Sequence, residues 1–99
     1  MNTRIFKYAL DITDTQYVRM PGRSQVLSVA EQNGNLCLWA QVDCDDGWVN
    51  RIIEIIGTGN PISMAGLTPE GQWERKFIGT VVMREVSLVW HVFERVSCS

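Results

Sequence analysis

A single histidine, three cysteines and no excess of basic residues narrow the chemistry before any motif is sought. His91 is the only imidazole, so any acid–base mechanism that needs a histidine must use it. The cysteines, at 37, 44 and 98, are odd in number and include no Cys-x-x-Cys pair. They make neither a disulfide framework nor, with one histidine, the ligand set of a structural zinc site. Nine Lys and Arg against 11 Asp and Glu give a formal net charge of −2, so no overall positive field draws the chain to nucleic acid. No apolar run approaches the roughly 18 residues of a membrane-spanning helix. The amino end, "MNTRIFKYALDI", is charged and lacks the apolar core and cleavage site of a signal peptide. The expectation from these absences is a cytoplasmic protein with reduced thiols, no metal and no cofactor.

What is present reads as β structure. Apolar residues are 45% of the 99 and charged residues 20%, which suits one globular domain over 1–99 with its own core. The dominant period is two, the signature of strands. In "NLCLWAQVD" Leu36, Leu38, Ala40 and Val42 share one face, and Cys37, Trp39, Gln41 and Asp43 the other. In "VSLVWHVFERV" Val86, Leu88, Trp90 and Val92 oppose Ser87, Val89, His91 and Phe93. Being apolar on both faces, that strand belongs in the middle of a sheet. Asn33-Gly34 specifies a tight hairpin, because both residues tolerate positive φ. "DITDT" reads as a polar hairpin, while Pro21-Gly22 and Asp46-Gly47 punctuate other runs. Seven strands are expected, at about 4–10, 15–20, 25–32, 36–43, 48–56, 76–83 and 86–95. They follow too closely for helical crossovers, so the fold class is all-β or mainly β: a small antiparallel meander forming a sandwich or partly open barrel. At most one short helix is expected, at Ser63–Leu67 in the long loop 57–75.

The chemistry-bearing candidates are few. Gly57-Thr58-Gly59-Asn60 follows an apolar run, and reads as a turn or as a backbone nest for an anion or a partner. It lacks the Gly-Lys-Ser/Thr of a phosphate loop, and Pro61 removes one N–H. His91 is expected to be packed and hydrogen-bonded; a dyad with Cys37 requires their strands to adjoin. "DCDDG" gathers carboxylates but lacks the alternating ligands of a calcium loop. Asp11 and Asp14 are expected to bond their own backbone at a turn. Trp73, in the long loop, is either an interface anchor or a lid on a core edge. Arg75 and Lys76 form the one local basic patch. The candidate ligand- or partner-binding set is therefore Gly57, Thr58, Gly59, Asn60, Trp73, Arg75 and Lys76, with no catalytic residue assigned.

Taken together, "KYALDITDTQYVRMP", "LSVAEQNGNLCLWAQVD", "IIGTGNPI", "FIGTV" and "LVWHVFE" resemble a family of small proteins encoded by bacteriophages and prophages and catalogued as a domain of unknown function. The resemblance covers approximately residues 4–94. It departs at Met83-Arg84-Glu85, where the family has a glycine-rich turn, and over 63–75. It implies phage origin and a host-cytoplasm setting, and it carries no catalytic residues. The function expected is a non-enzymatic protein that binds a host protein, as a counter-defence inhibitor or host-takeover factor, with a homo-oligomer through a sheet edge as a further expectation. The alternatives are a sponge for a nucleotide second messenger, using the 57–60 turn, Arg75, Lys76 and a stacking aromatic, or a minor virion component.

Overall fold

The computed structural model describes residues 1–64, 73–84 and 86–97. The strands are β1 (Thr3–Leu10), β2 (Thr15–Pro21), β3 (Gln25–Gln32), β4 (Asn35–Asp43), β5 (Trp48–Gly57), β6 (Trp73–Met83) and β7 (Leu88–Ser97). Among the described residues there is no helix, hence none long and apolar enough to cross a membrane. Ser63 and Met64 carry no helical turn, and the rest of the expected helix, 65–67, lies outside the described residues.

All pairs are antiparallel and fall into two sheets, β1-β4-β3 and β2-β5-β7-β6, which stack as a sandwich without closing into a barrel. The alternation expected in β4 holds: Leu36, Leu38, Ala40 and Val42 are all essentially inaccessible and meet Met20, Ile53 and Val92 of the other sheet in one core. β7 is central, between β5 and β6, as its two apolar faces require.

The connections differ from a run of hairpins. "DITDT" is not a hairpin, because β1 pairs with β4 and β2 with β5. The segment Asp11–Asp14 instead carries the chain from one sheet to the other. Gln16 holds it, its amide oxygen accepting from Asp11 N–H at 3.1 Å and its amide nitrogen donating to the Asp11 carbonyl at 2.7 Å. This side-chain mimic of a backbone pair takes the role expected of Asp11 and Asp14. Two further crossings, β2 to β3 and β4 to β5, lie side by side. Gly22 N–H donates to the Gly47 carbonyl at 2.8 Å, and Arg23 forks onto Asp46 at 2.7 and 3.1 Å. Hydrogen bonds and charge from Arg23 hold the Asp46 carboxyl below its ordinary range. Asp43 is also held low, its oxygen accepting from the backbone N–H groups of Asp45 and Asn2.

Among the described strands, hairpins join β3 to β4 and β6 to β7. The first uses Asn33 (φ 53°) and Gly34 (φ 82°), the two left-handed residues of a type I′ turn. In the second Ser87 takes φ 53°, a conformation that strains an L side chain. β3 and β6 run beside each other where the sheets meet. Each carries a bulge there, at Val26/Ser28 and Phe77/Gly79, of the kind that bends strands at a corner.

Candidate functional site

The sheet register lays out the outer face of β2-β5-β7-β6 row by row, because directly opposed residues project to the same side. One row runs Tyr17, Ile52, Arg95, Arg75; the next runs Thr15, Glu54, Phe93, Phe77; a third runs Ile56, His91, Thr80; and Val89 faces Val82 in a fourth. A face exposed to water would normally carry scattered polar residues. This one has a carboxylate, Glu54, that is only 5% accessible.

Glu54 is held by two arginines. Arg75 Nε donates to it at 2.8 Å and Arg75 Nη2 at 3.3 Å, while Arg95 Nη2 donates at 3.1 Å. Burial pushes the Glu54 carboxyl up, but the hydrogen bonds and charge of Arg75, followed by those of Arg95, outweigh it and leave the group below the ordinary carboxylate range. Arg75 also donates to the Ser63 carbonyl at 2.7 Å, which brings the segment after β5 back over the sheet. Its guanidinium lies 5.9 Å from the centroid of Phe93, and Phe93 meets Phe77 edge-on at 5.4 Å. Cation–π and edge-to-face contacts of this kind favour a fixed arrangement of the rings. On the same face Tyr17 of β2 and Phe77 of β6, in the rows of this cluster, and Val82, two rows further along β6, are more than half exposed.

His91 lies one row further along, with both ring nitrogens engaged. Nε2 is 2.8 Å from Thr58 Oγ1 and Nδ1 is 2.9 Å from Thr80 Oγ1. A hydroxyl both donates and accepts, so either tautomer is satisfied. Cys37 is not its partner: that thiol is buried in β4 of the other sheet, and the strands do not adjoin.

The candidates named from sequence separate. Gly57 to Asn60 form a turn in which Asn60 N–H donates to the Gly57 carbonyl at 3.0 Å and Gly59 has φ 86°. That is the geometry of a type II turn. Thr58 N–H goes to the Val89 carbonyl at 3.3 Å, so the turn does not collect its donors into a nest. Gly57 is set by close packing: a Cβ there would stand 2.8 Å from Asn60 Nδ2 and 3.1 Å from Trp90 Cζ3. Trp73 is no loop residue; it opens β6 opposite Ser97 and is half-buried. β6 begins three residues earlier than expected because Trp73-Glu74-Arg75 find partners on β7. Arg75 belongs to the outer-face cluster, while Lys76 alternates to the other side, opposite Glu94. There Glu94 is paired with Arg51, whose Nη1 also donates to the Ser24 carbonyl at 2.9 Å.

Glu54, Arg95, Phe93 and Tyr17 were missed. One signal was there: in "IIEIIG" the lone carboxylate interrupts an apolar strand, and a buried charge requires a partner. A cavity of about 580 Å³ adjoins the cluster, between the 11–14 crossing and the residues after β5, with Glu54, Asn60, Pro61 and Trp90 in its wall.

A family model described as "Domain of unknown function (DUF7352)" matches residues 1–98. The chain belongs to the DUF7352 family. No curated protein and no solved structure matches it. The family membership covers the whole of both sheets, so the outer face described above lies entirely within the DUF7352 domain.

Proposed function

We propose that this DUF7352 protein is a non-catalytic binding protein of bacteriophage or prophage origin. It acts in the host cytoplasm by occupying the surface of a host protein, as a counter-defence inhibitor or host-takeover factor. The observation that carries the reading is the outer face of the four-stranded sheet. Exposed Tyr17 and Phe77 share the rows of a buried Arg75–Glu54–Arg95 cluster, and Val82 is exposed further along the same face. Exposed aromatics on a rigid support are what interface anchors require, since little side-chain entropy is lost on docking. Phage origin rests on the sequence resemblance.

The nucleotide-sponge reading has less support. Its intended phosphate contacts, Arg75 and Lys76, face opposite sides of β6, and Arg75 is already engaged by Glu54 and Ser63.

The test is affinity capture from host lysate with the wild-type protein and a Tyr17→Asp/Phe77→Asp variant, both checked for β structure by circular dichroism. A host protein retained by the wild type and lost by the variant is the expected result. Retention by both, or by neither, defeats the reading.

A further inference from the structure

The two sheets present four edge strands, which differ in how much uninterrupted backbone they offer for further pairing. β3 and β6 lie beside each other and are each interrupted by a bulge. β2 ends in Pro21, which has no N–H to offer, and its inward side chains Val18 and Met20 are already covered. β1 is the longest of the four without a bulge or a proline. It pairs with β4 through eight consecutive residues without a register shift, and it contains no proline or glycine. Natural sheets block such edges or use them.

The cover over β1 also runs out along its length. Of the side chains alternating toward the core, Leu10 is buried, Tyr8 and Phe6 are half-buried, and Arg4 is exposed. On the other face Ile5 is 63% exposed. The strand thus offers both an unpaired backbone edge and incompletely covered aromatic side chains.

We propose that the protein forms a two-fold homodimer in which β1 pairs antiparallel with β1 of a second copy, joining the three-stranded sheets into one continuous sheet. The charge pattern selects the register. A two-fold axis perpendicular to the sheet keeps each face with its own kind, so only registers with like-facing residues opposed are allowed. Centring on Lys7 sets two ammonium groups against each other, which is destabilising. Centring on Ile5 leaves Tyr8 to Leu10 without partners. Centring on Phe6 pairs Phe6 with its own copy, Arg4 with Tyr8, Ile5 with Lys7 and Thr3 with Ala9. No like charges meet: Arg4 opposes the half-buried Tyr8, and Lys7, whose ammonium donates to Gln32 at 2.7 Å across its own sheet, opposes Ile5. One strand per copy is a small interface, so the association is concentration-dependent. It uses the sheet opposite the proposed host-binding face and is independent of that reading.

Sedimentation velocity over a concentration series tests this on three proteins: the wild type, Ile5→Lys, and Ile5→Lys/Lys7→Glu. Ile5 is exposed, so its replacement leaves the core intact, and circular dichroism confirms the fold of each. The expected result is a concentration-dependent dimer for the wild type. Ile5→Lys is expected to be a monomer, because the introduced ammonium group opposes Lys7 of the second copy. The dimer returns in the double variant, where the same two positions oppose an ammonium group to a carboxylate. A wild type that stays monomeric throughout, or a folded Ile5→Lys variant that still dimerises, overturns the proposal. Failure of the double variant to recover overturns the Phe6-centred pairing.

Discussion

Replacing Glu54 by alanine removes the acceptor of three charged hydrogen bonds and leaves two arginines facing each other on the sheet. Both are largely buried, with side-chain exposures of 11% for Arg75 and 20% for Arg95. Breaking a buried ion pair from one side costs about 3–5 kcal/mol, because the surviving charge keeps its desolvation penalty without compensation. Water reaches part of Arg95, so the lower end, about 3 kcal/mol, is expected here. Domains of this size are stable by roughly 5–15 kcal/mol, so the loss is a large fraction of the total. It corresponds to a Tm lowered by roughly 12–24 °C. Urea titration at neutral pH, followed by tryptophan fluorescence and far-ultraviolet circular dichroism, measures it. The pH dependence supplies a second readout. The folded-state pKa of Glu54 lies below its ordinary value. Its stabilisation is therefore present above the unfolded-chain value and is lost as pH falls through the folded one. Glu54→Gln mimics the protonated state, so the stability gap between wild type and Glu54→Gln should narrow on acidification. A Glu54→Ala loss under about 1 kcal/mol, within the range of an exposed pair, or a gap independent of pH, would refute the buried-cluster reasoning.

Three smaller predictions follow from local geometry. Gly57→Ala forces a Cβ against Asn60 and Trp90 and should cost about 1–3 kcal/mol in urea titration, with part of the loss recovered by adding Asn60→Ala. Ser87→Gly should stabilise by up to about 1 kcal/mol, since glycine adopts φ 53° without the Cβ penalty that serine carries there; an unchanged midpoint would contradict the strain. In ¹⁵N spectra of His91, Thr58→Val and Thr80→Val should each move both ring nitrogens in opposite directions, because losing one hydroxyl partner changes the tautomer balance; spectra unchanged in both variants would contradict the contacts.

The sequence carried the strands and lost their partners. Alternation placed Leu36, Leu38, Ala40 and Val42 in the core because period two is a local property, readable wherever one face is buried. Asn33-Gly34 was equally legible, since the turn's positive φ values demand such residues. "DITDT" was not, because a polar turn signals a change of direction whether the next strand pairs with the last one or crosses to another sheet. What decides is which strand completes each ladder, and that information is spread over β4 and β5. The outer-face cluster was hidden for the same reason. Glu54, Arg75 and Arg95 come from three strands and meet only through the register of β5-β7-β6. Trp73 was misplaced because the polar residues beside it resemble a loop, whereas its pairing with Ser97 on β7 makes it a strand.

If the outer face of β2-β5-β7-β6 is the working surface, the two faces of the sandwich must differ in their sensitivity to charge. Isothermal titration of the captured host protein against the wild type, Phe77→Asp and Ala30→Asp measures this directly. Phe77 is exposed on the four-stranded sheet, and Ala30 is exposed on the three-stranded one. Affinity should fall more than about tenfold for Phe77→Asp and stay near the wild-type value for Ala30→Asp. Equal affinity for wild type and Phe77→Asp, or a loss confined to Ala30→Asp, would contradict the assignment.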